Sequence, residues 1–574
     1  AAAWRAYDAR AGWVLKLASD RARRDGWDQI RSYAYQTSPS DQRVVSAQAL
    51  RHGQRWTVAI TDMAEGVFGK RESQVELVYQ RLWPKGYARE TFAGRVANKL
   101  DGTRIETLKR FIEHARQEFD VPGVAIGVVQ DGKVLFAGGF GVRELGKRDA
   151  VDADTLFMIA SNTKALTTLM LAKQVDAGRF GWNTPVVQVL PSFSLGDADT
   201  TGKVRMQHLV CACTGLPRQD MEMLFDSEGG SPASLMALLA TMQPTSAFGE
   251  LYQYSNAMAA AAGFAGGHAF RPELELGAGY DAAIQSLVFD PLEMSATTFD
   301  FARALGGNHA MPHASDVRGM TTLVDIDLNE YVIPSRPDGG AWSSVNDMLR
   351  YVRMELAEGL LEDGTRYIGT APLLERRVQQ VATGSDTGYG MGLKLDRSMG
   401  TLLIHHGGTE FGFRSDMLWL PEHGVGAVIL TNAEAGAGLR YPFRRRLLEL
   451  LFDGKPEAEE NVAVQSKRNV ASHAANMVGL AVPADSNATG LLAARYRSAE
   501  LGEIEISRRN GAVWFDFGGW KSEVATRRND DGTFSFVTIA PAADGFEFTV
   551  ADRDGKRALV LLDEQHEYVF TAVE

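Results

Sequence analysis

At 574 residues the chain is long enough for more than one domain, and its 45% hydrophobic and 23% charged residues are those of a globular protein with ample core. A formal net charge of -12 argues against nucleic acid and anionic membrane surfaces as partners, since both call for a basic face. No apolar run is long enough for a membrane-spanning helix; the small, apolar stretch 258–269 is too short.

In chain order, residues 1–101 read as a small α+β domain of unknown role. Residues 4–25 have a helical composition, strand-like runs follow at 43–50 and 55–60, and 70–82 is charged at its start and then mixed. No catalytic constellation falls here. The chain starts at Ala1 and not at a methionine, which fits removal of a secretory signal and a periplasmic or secreted location.

Residues 102–456 form the next segment. Ile105, Leu108, Ile112 and Ala115 recur at helical period, 121–129 is a β-type run, and Asp131-Gly132 turns it into a second strand over 133–140. At the far end, 400–405, 415–420 and 425–430 read as strands and 439–452 as a closing helix. An antiparallel sheet drawn from both ends of the segment, with a long helical insertion between, is an α+β architecture. Cys211 and Cys213 are the only cysteines. Thiols that close rarely reach disulfide geometry, and no further cysteine completes a thiolate metal site, so they read as buried free thiols.

Residues 457–487, rich in Glu, Ala and Ser, read as a linker. Residues 488–574 are strands and turns, with hairpin signals at Asn510-Gly511, Asp531-Gly532 and Asp554-Gly555. A closed antiparallel barrel is expected.

Three short motifs carry chemistry. Ser161-Asn162-Thr163-Lys164 opens a helix whose stripe is Leu166, Leu169, Met170 and Val175, with Gly178 at its C-terminus. Serine needs an adjacent base to be nucleophilic, and i,i+3 spacing puts Lys164 on the same helical face. The helix N-terminus favours negative charge there, and the Ser161 N–H can serve an oxyanion. About one Ser-x-x-Lys is expected by chance in a chain this long, and an N-cap serine before a solvated lysine is the plain alternative. Tyr254-Ser255-Asn256 offers a phenol that shuttles protons when cations lie near, and an amide that orients a carbonyl; by itself it reads as a turn. His405-His406-Gly407-Gly408-Thr409 follows a strand, where paired glycines allow a close approach. Adjacent histidines point to opposite faces of a strand, so they do not share a metal.

In order and approximate spacing these motifs resemble the serine β-lactamase-related family of class C β-lactamases, DD-carboxypeptidases, D-aminopeptidases and family VIII carboxylesterases. Similar stretches are Asp120-Val-Pro-Gly-Val-Ala-Ile-Gly, Thr214-Gly-Leu-Pro217, Asp290-Pro-Leu-Glu-Met294, Gly339-Gly-Ala-Trp-Ser-Ser344 and Tyr389-Gly-Met-Gly392. The resemblance spans about residues 104–453, and the last segment is similar to the lipocalin-like C-terminal barrels of related hydrolases. It implies that Ser161 is acylated, that Lys164 and Tyr254 share the general-base and general-acid roles in an order left open, and that Asn256, His406, Gly407, Gly408 and Thr409 bind substrate. The backbone N–H groups of Ser161 and Thr409 would form the oxyanion hole.

His406 stands where the family usually has lysine, and Gly407 where it has Thr or Ser. A histidine titrating near neutrality and a missing hydroxyl weaken a carboxylate subsite. The reading is therefore a serine hydrolase of small esters or amides, needing no cofactor or metal. A D-aminopeptidase, DD-peptidase or β-lactamase and a non-catalytic acyl-binding sensor are the alternatives. Arg414 could anchor a carboxylate, but an ion pair suits it better, and Ala212 replaces a common histidine. No Gly-x-Ser-x-Gly or His-Glu-x-x-His occurs, which excludes a nucleophile elbow and a zincin.

Overall fold

Alternating apolar residues from the two ends of the middle segment zip into one antiparallel sheet. The computed structural model describes residues 2–8, 12–225, 230–529, 532–553, 555–563 and 565–573. The chain divides into two compact units.

One unit comprises residues 90–314 and 322–454. Its eight strands run, in spatial order, Val381–Ala382, Thr387–Tyr389, Lys394–Asp396, Leu403–Glu410, Phe413–Leu420, Val425–Thr431, Gly123–Gln130 and Lys133–Gly141. Late and early strands meet where Val425–Thr431 pairs with Gly123–Gln130. Both are buried at every residue, the mark of a strand covered on two faces, whereas the edge strand Lys133–Gly141 is not. Helix Val345–Leu356 packs on this central pair; Ala437–Phe452 packs on helix Gly102–Glu118 and strand Phe413–Leu420. Between the strands of the two ends lies the helical insertion. Its two innermost helices, Thr163–Asp176 and Asn256–Phe270, are apolar nearly all round and pack on each other, as buried helices do. Gly178, just past the first, is left-handed (φ +70°), a position glycine favours after a helix. At the limits of the unit, Phe92 stacks on Phe452 with centroids 4.7 Å apart, and Asn98 Nδ2 donates to Asp453 Oδ2 at 2.9 Å.

The other unit comprises residues 1–89, 315–321 and 455–574. Residues 4–25 are not one helix: helix Ala2–Tyr7 gives way to strand Leu15–Arg21, and residues 9–11 lie outside the described residues. That strand heads a four-stranded antiparallel sheet with Gln29–Tyr35, Arg43–His52 and Arg55–Ala64, followed by helix Glu65–Arg81. Its residues favour a helix locally, but ladder bonds to the neighbouring strand override that preference. The stretch read as a linker contains the helix Ala458–Met477, which packs on strand Leu15–Arg21. Arg23 clamps Glu460 of that helix with Nε and Nη2 at 2.8–3.1 Å.

The C-terminal strands close into an eight-stranded antiparallel barrel: Lys521–Arg528 pairs with Phe534–Thr538 and completes the ring. The first hairpin turns on Asn510-Gly511, both with positive φ; Asp531 and Asp554 of the other two signals lie outside the described residues. Phe515, Phe536, Phe548 and Phe570 are buried in this domain. Among the described residues no helix is long and apolar enough to cross a membrane.

Candidate active site

Strand Phe157–Met158 ends in a sharp turn. Ala160 is left-handed (φ +50°), a region non-glycine residues rarely occupy, and the chain passes through a 3-10 turn, Ala160–Asn162, into helix Thr163–Asp176. Ser161 therefore sits on the turn before the helix and not within it. Thr163 Oγ1 pins the turn by donating to Ala160 O at 2.7 Å.

One turn on, Lys164 is 2% exposed. Its Nζ lies 3.2 Å from Ser161 Oγ, 2.7 Å from Asn256 Oδ1 and 2.8 Å from the Asp338 carbonyl oxygen. The two carbonyl oxygens only accept hydrogen bonds. They take two of the N–H groups and leave the third position on Nζ facing Ser161 Oγ. Asp338 Oδ1 stands 3.8 Å away.

Tyr254 and Asn256 arrive on the lip of helix Asn256–Phe270. Ser255 caps that helix, accepting from the Met258 N–H at 3.3 Å. The Tyr254 ring centroid is 4.8 Å from Lys164 Nζ, and its hydroxyl is buried. Asn256 Nδ2 donates to Asp220 Oδ2 at 3.0 Å, and Arg218 Nε donates to the same oxygen at 2.5 Å.

Strand Leu403–Glu410 supplies the third side. Its last pair with Lys394–Asp396 is His405–Lys394, so the edge from His406 onward is unpaired on that side. Strand alternation sends neighbours to opposite faces. Gly408 faces the turn that carries Ser161 so closely that a Cβ would lie 2.2 Å from Ile159 O and 2.3 Å from Ser415 Oγ. His406, on the same face, lies beside Tyr254 and Tyr389. Thr409 and Gly407 face the other way, toward helix Ala437–Phe452: Arg440 Nη2 donates to Thr409 Oγ1 at 3.0 Å, and a Cβ on Gly407 would lie 3.5 Å from the Arg440 guanidinium. His405 points to Asp416, 3.8 Å away.

The electrostatics correct one expectation: His406 does not titrate near neutrality. Burial, with Lys394 and Lys164 adding to it, holds its pKa well below the usual imidazole range. Its hydrogen bonds suit a neutral ring, Nδ1 donating to Gly407 O at 2.8 Å and Nε2 accepting from Tyr389 OH at 3.1 Å. Burial also lifts the Asp338 carboxyl to about 7, against the pull of Lys164. It lifts Glu410 to about 8, opposed by the hydrogen bond that Tyr331 OH donates at 2.7 Å.

A second correction concerns the cysteines. Cys211 and Cys213 are bonded to each other. Ala212 between them is left-handed (φ +52°), and the contracted tripeptide brings the two Cα atoms to 5.2 Å, inside the disulfide range. Arg414 forms an ion pair with Glu434 at 3.0 Å. Sequence reasoning missed Asp220, Asp338, Glu410 and Arg440. Asp338 adjoins the quoted Gly339–Ser344 stretch and Glu410 adjoins Thr409, but no spacing pattern marks either.

A serine with a buried amine on its Oγ, behind an open strand edge, is a geometry for acyl transfer. The family model described as Beta-lactamase matches residues 108–451. The chain belongs to the Beta-lactamase family. That family is one of serine hydrolases. The chain is 27% identical over 341 residues to "Penicillin-binding protein 4" of Amycolatopsis lactamdurans, covering 58% of this chain and 86% of that protein. It is 26% identical over 371 residues to "Unguisins hydrolase ungD'" of Aspergillus campestris, covering 60% of this chain and 66% of that one. The solved octameric penicillin-binding protein homologue from Pyrococcus abyssi matches with a TM-score of 0.54 at 20% identity, covering 81% of this chain and 99% of its own, a likeness of fold.

Proposed function

We propose that this Beta-lactamase-family chain hydrolyses small esters or amides through an acyl-enzyme on Ser161. The observation that carries the reading is the environment of Lys164 Nζ: two carbonyl acceptors occupy two of its N–H groups, and Ser161 Oγ lies at 3.2 Å on the remaining side. In its amine form the lone pair meets the Ser161 hydroxyl and takes its proton as Oγ attacks the acyl carbon. Tyr254, whose ring lies against Lys164, gives its hydroxyl proton to the leaving group and is reprotonated from Lys164, so the proton taken from Ser161 ends on the leaving group. The Ser161 and Thr409 N–H groups hold the oxyanion, while Asn256 and the edge His406-Gly407-Gly408 align the acyl side.

A neutral His406 and an absent hydroxyl at Gly407 favour substrates without a carboxylate at this edge. The second reading, a peptidase or β-lactamase, is favoured by Arg440, whose guanidinium stands beside Gly407 and Thr409. The printed names of the relatives, a penicillin-binding protein and a hydrolase, are compatible with either. A periplasmic or secreted setting goes with the Cys211–Cys213 bond, since disulfides persist in oxidising compartments.

The test is a panel of p-nitrophenyl esters, a chromogenic cephalosporin and D-alanyl amides, run on the wild type and on Arg440→Ala. Turnover of short neutral esters that survives Arg440→Ala is the expected result. A preference for carboxylate substrates that Arg440→Ala abolishes would establish the second reading. Stoichiometric acylation without turnover would identify a sensor.

A further inference from the structure

The Cys211–Cys213 bond lies against the groups proposed for chemistry. The two cysteines share a buried cluster with Tyr389, and partly buried Tyr252 and Tyr254 pack against it. The bridged tripeptide also holds the segment leading into Tyr254 at two points: the Gln253 N–H donates to Ala212 O at 2.9 Å, and the Gly249 N–H donates to Cys213 O at 2.7 Å. Gln253 immediately precedes Tyr254, so the placement of the Ala212 carbonyl sets the register of the phenol over Lys164. Ala212 holds that carbonyl in place in a left-handed conformation (φ +52°) that alanine rarely adopts unless its surroundings impose it. The bond between its two neighbours spans it here.

We infer that Cys211 and Cys213 form a thiol–disulfide modification site that fixes Tyr254 when oxidised and releases it when reduced. The ligand class is a dithiol reductant. Its thiolate attacks one bridge sulfur to give a mixed disulfide, and its second thiol resolves that intermediate. The Cys211–Cys213 bond is broken, two cysteine thiols form, and the reductant leaves as its own disulfide, a transfer of two electrons and two protons. Cys213 retains 4% of its surface and Cys211 none, so attack enters at Cys213 as the loop opens. Freed of the bridge, Ala212 leaves the left-handed region, its carbonyl turns from the Gln253 N–H, and Tyr254 loses its place beside Lys164.

The rate readout rests on the Ser161 reading, so a second readout independent of turnover accompanies it. The two cysteines are the only ones in the chain, which makes thiol counting unambiguous. The folded enzyme is treated with dithiothreitol, and thiols, ester kcat/KM and amide exchange over residues 249–254 are followed. The expected result is two new thiols, faster exchange at Gly249 and Gln253, and a kcat/KM lower by about 10-fold to 100-fold, the cost of misplacing a reacting group by about an ångström. Reoxidation restores all three. Cys211→Ala/Cys213→Ala should show the fast exchange and low rate at once and be indifferent to the reductant. A bridge that stays closed until the protein unfolds overturns the proposal. So does a reduced, folded enzyme with unchanged exchange at those amides. An enzyme with no ester turnover in either state, but with exchange that follows the bridge, counts against the proposed function and leaves this inference standing.

Discussion

Around Lys164 Nζ, three oxygens lie within hydrogen-bond distance: Ser161 Oγ, Asn256 Oδ1 and the Asp338 carbonyl. Replacing Ser161 with Ala should abolish turnover and labelling by a fluorophosphonate, a loss of about several orders of magnitude; label that persists in the folded variant would remove Ser161 from the mechanism. Asp338 adds a pH argument. Its carboxyl, lifted to about 7 by burial, ionises across neutrality and then puts a negative charge 3.8 Å from Lys164 Nζ. Asp338→Asn removes that ionisation, so any inflection near pH 7 in the kcat/KM profile for a neutral ester should disappear. A profile with the same inflection in the variant would mean that the Asp338 charge plays no part in the rate. Glu410 makes a stability argument. Its pKa rises from 4.5 to about 8 in the fold, so between those values the unfolded chain has lost a proton that the folded one keeps. Folding stability falls as pH rises through that window. Glu410→Gln should flatten the fall, measured as Tm from about pH 5 to pH 8.

Among the elements, strand Leu403–Glu410 approaches the turn that carries Ser161 only because residue 408 lacks a side chain. Gly408→Ala should push the strand off Ile159 and Ala160 and cost about 100-fold in kcat/KM, with the fold retained by circular dichroism. Full activity would show that the turn yields cheaply. Apart from the short strands Val381–Ala382, Thr387–Tyr389 and Lys394–Asp396, and the shift of the one read at 400–405 to 403–410, the strands of the large sheet were legible because alternation and continuous apolar runs are local signals. So were the helix after Ser161 and the proximity of Ser161 to Lys164, which follow from i,i+3 spacing. Strand Leu15–Arg21 and helix Ala458–Met477 were not, because each is completed by the other from the far end of the chain. Asp338 was equally hidden: it reaches Lys164 across 174 positions of sequence, a separation no periodicity encodes. The charge state of His406 depended on burial, which residue type alone does not give.

For the whole molecule, the discontinuous unit makes the first and last segments mutually dependent. Deleting residues 1–89 strips helix Ala458–Met477 of the strand it packs on and of the Arg23–Glu460 clamp. Limited proteolysis should then cut within 458–477 while Ser161 still takes label; equal resistance with and without residues 1–89 would mean the helix stands alone. The stacked Phe92 and Phe452 have a different consequence. Apart from the excursion 315–321, residues 90–454 enter and leave their unit side by side, and its closure does not depend on which bond of the backbone happens to be open. Joining residues 90 and 454 and moving the termini to an exposed loop should give a rewired chain that still carries a labelled Ser161. The unit that carries Ser161, in that sense, is portable.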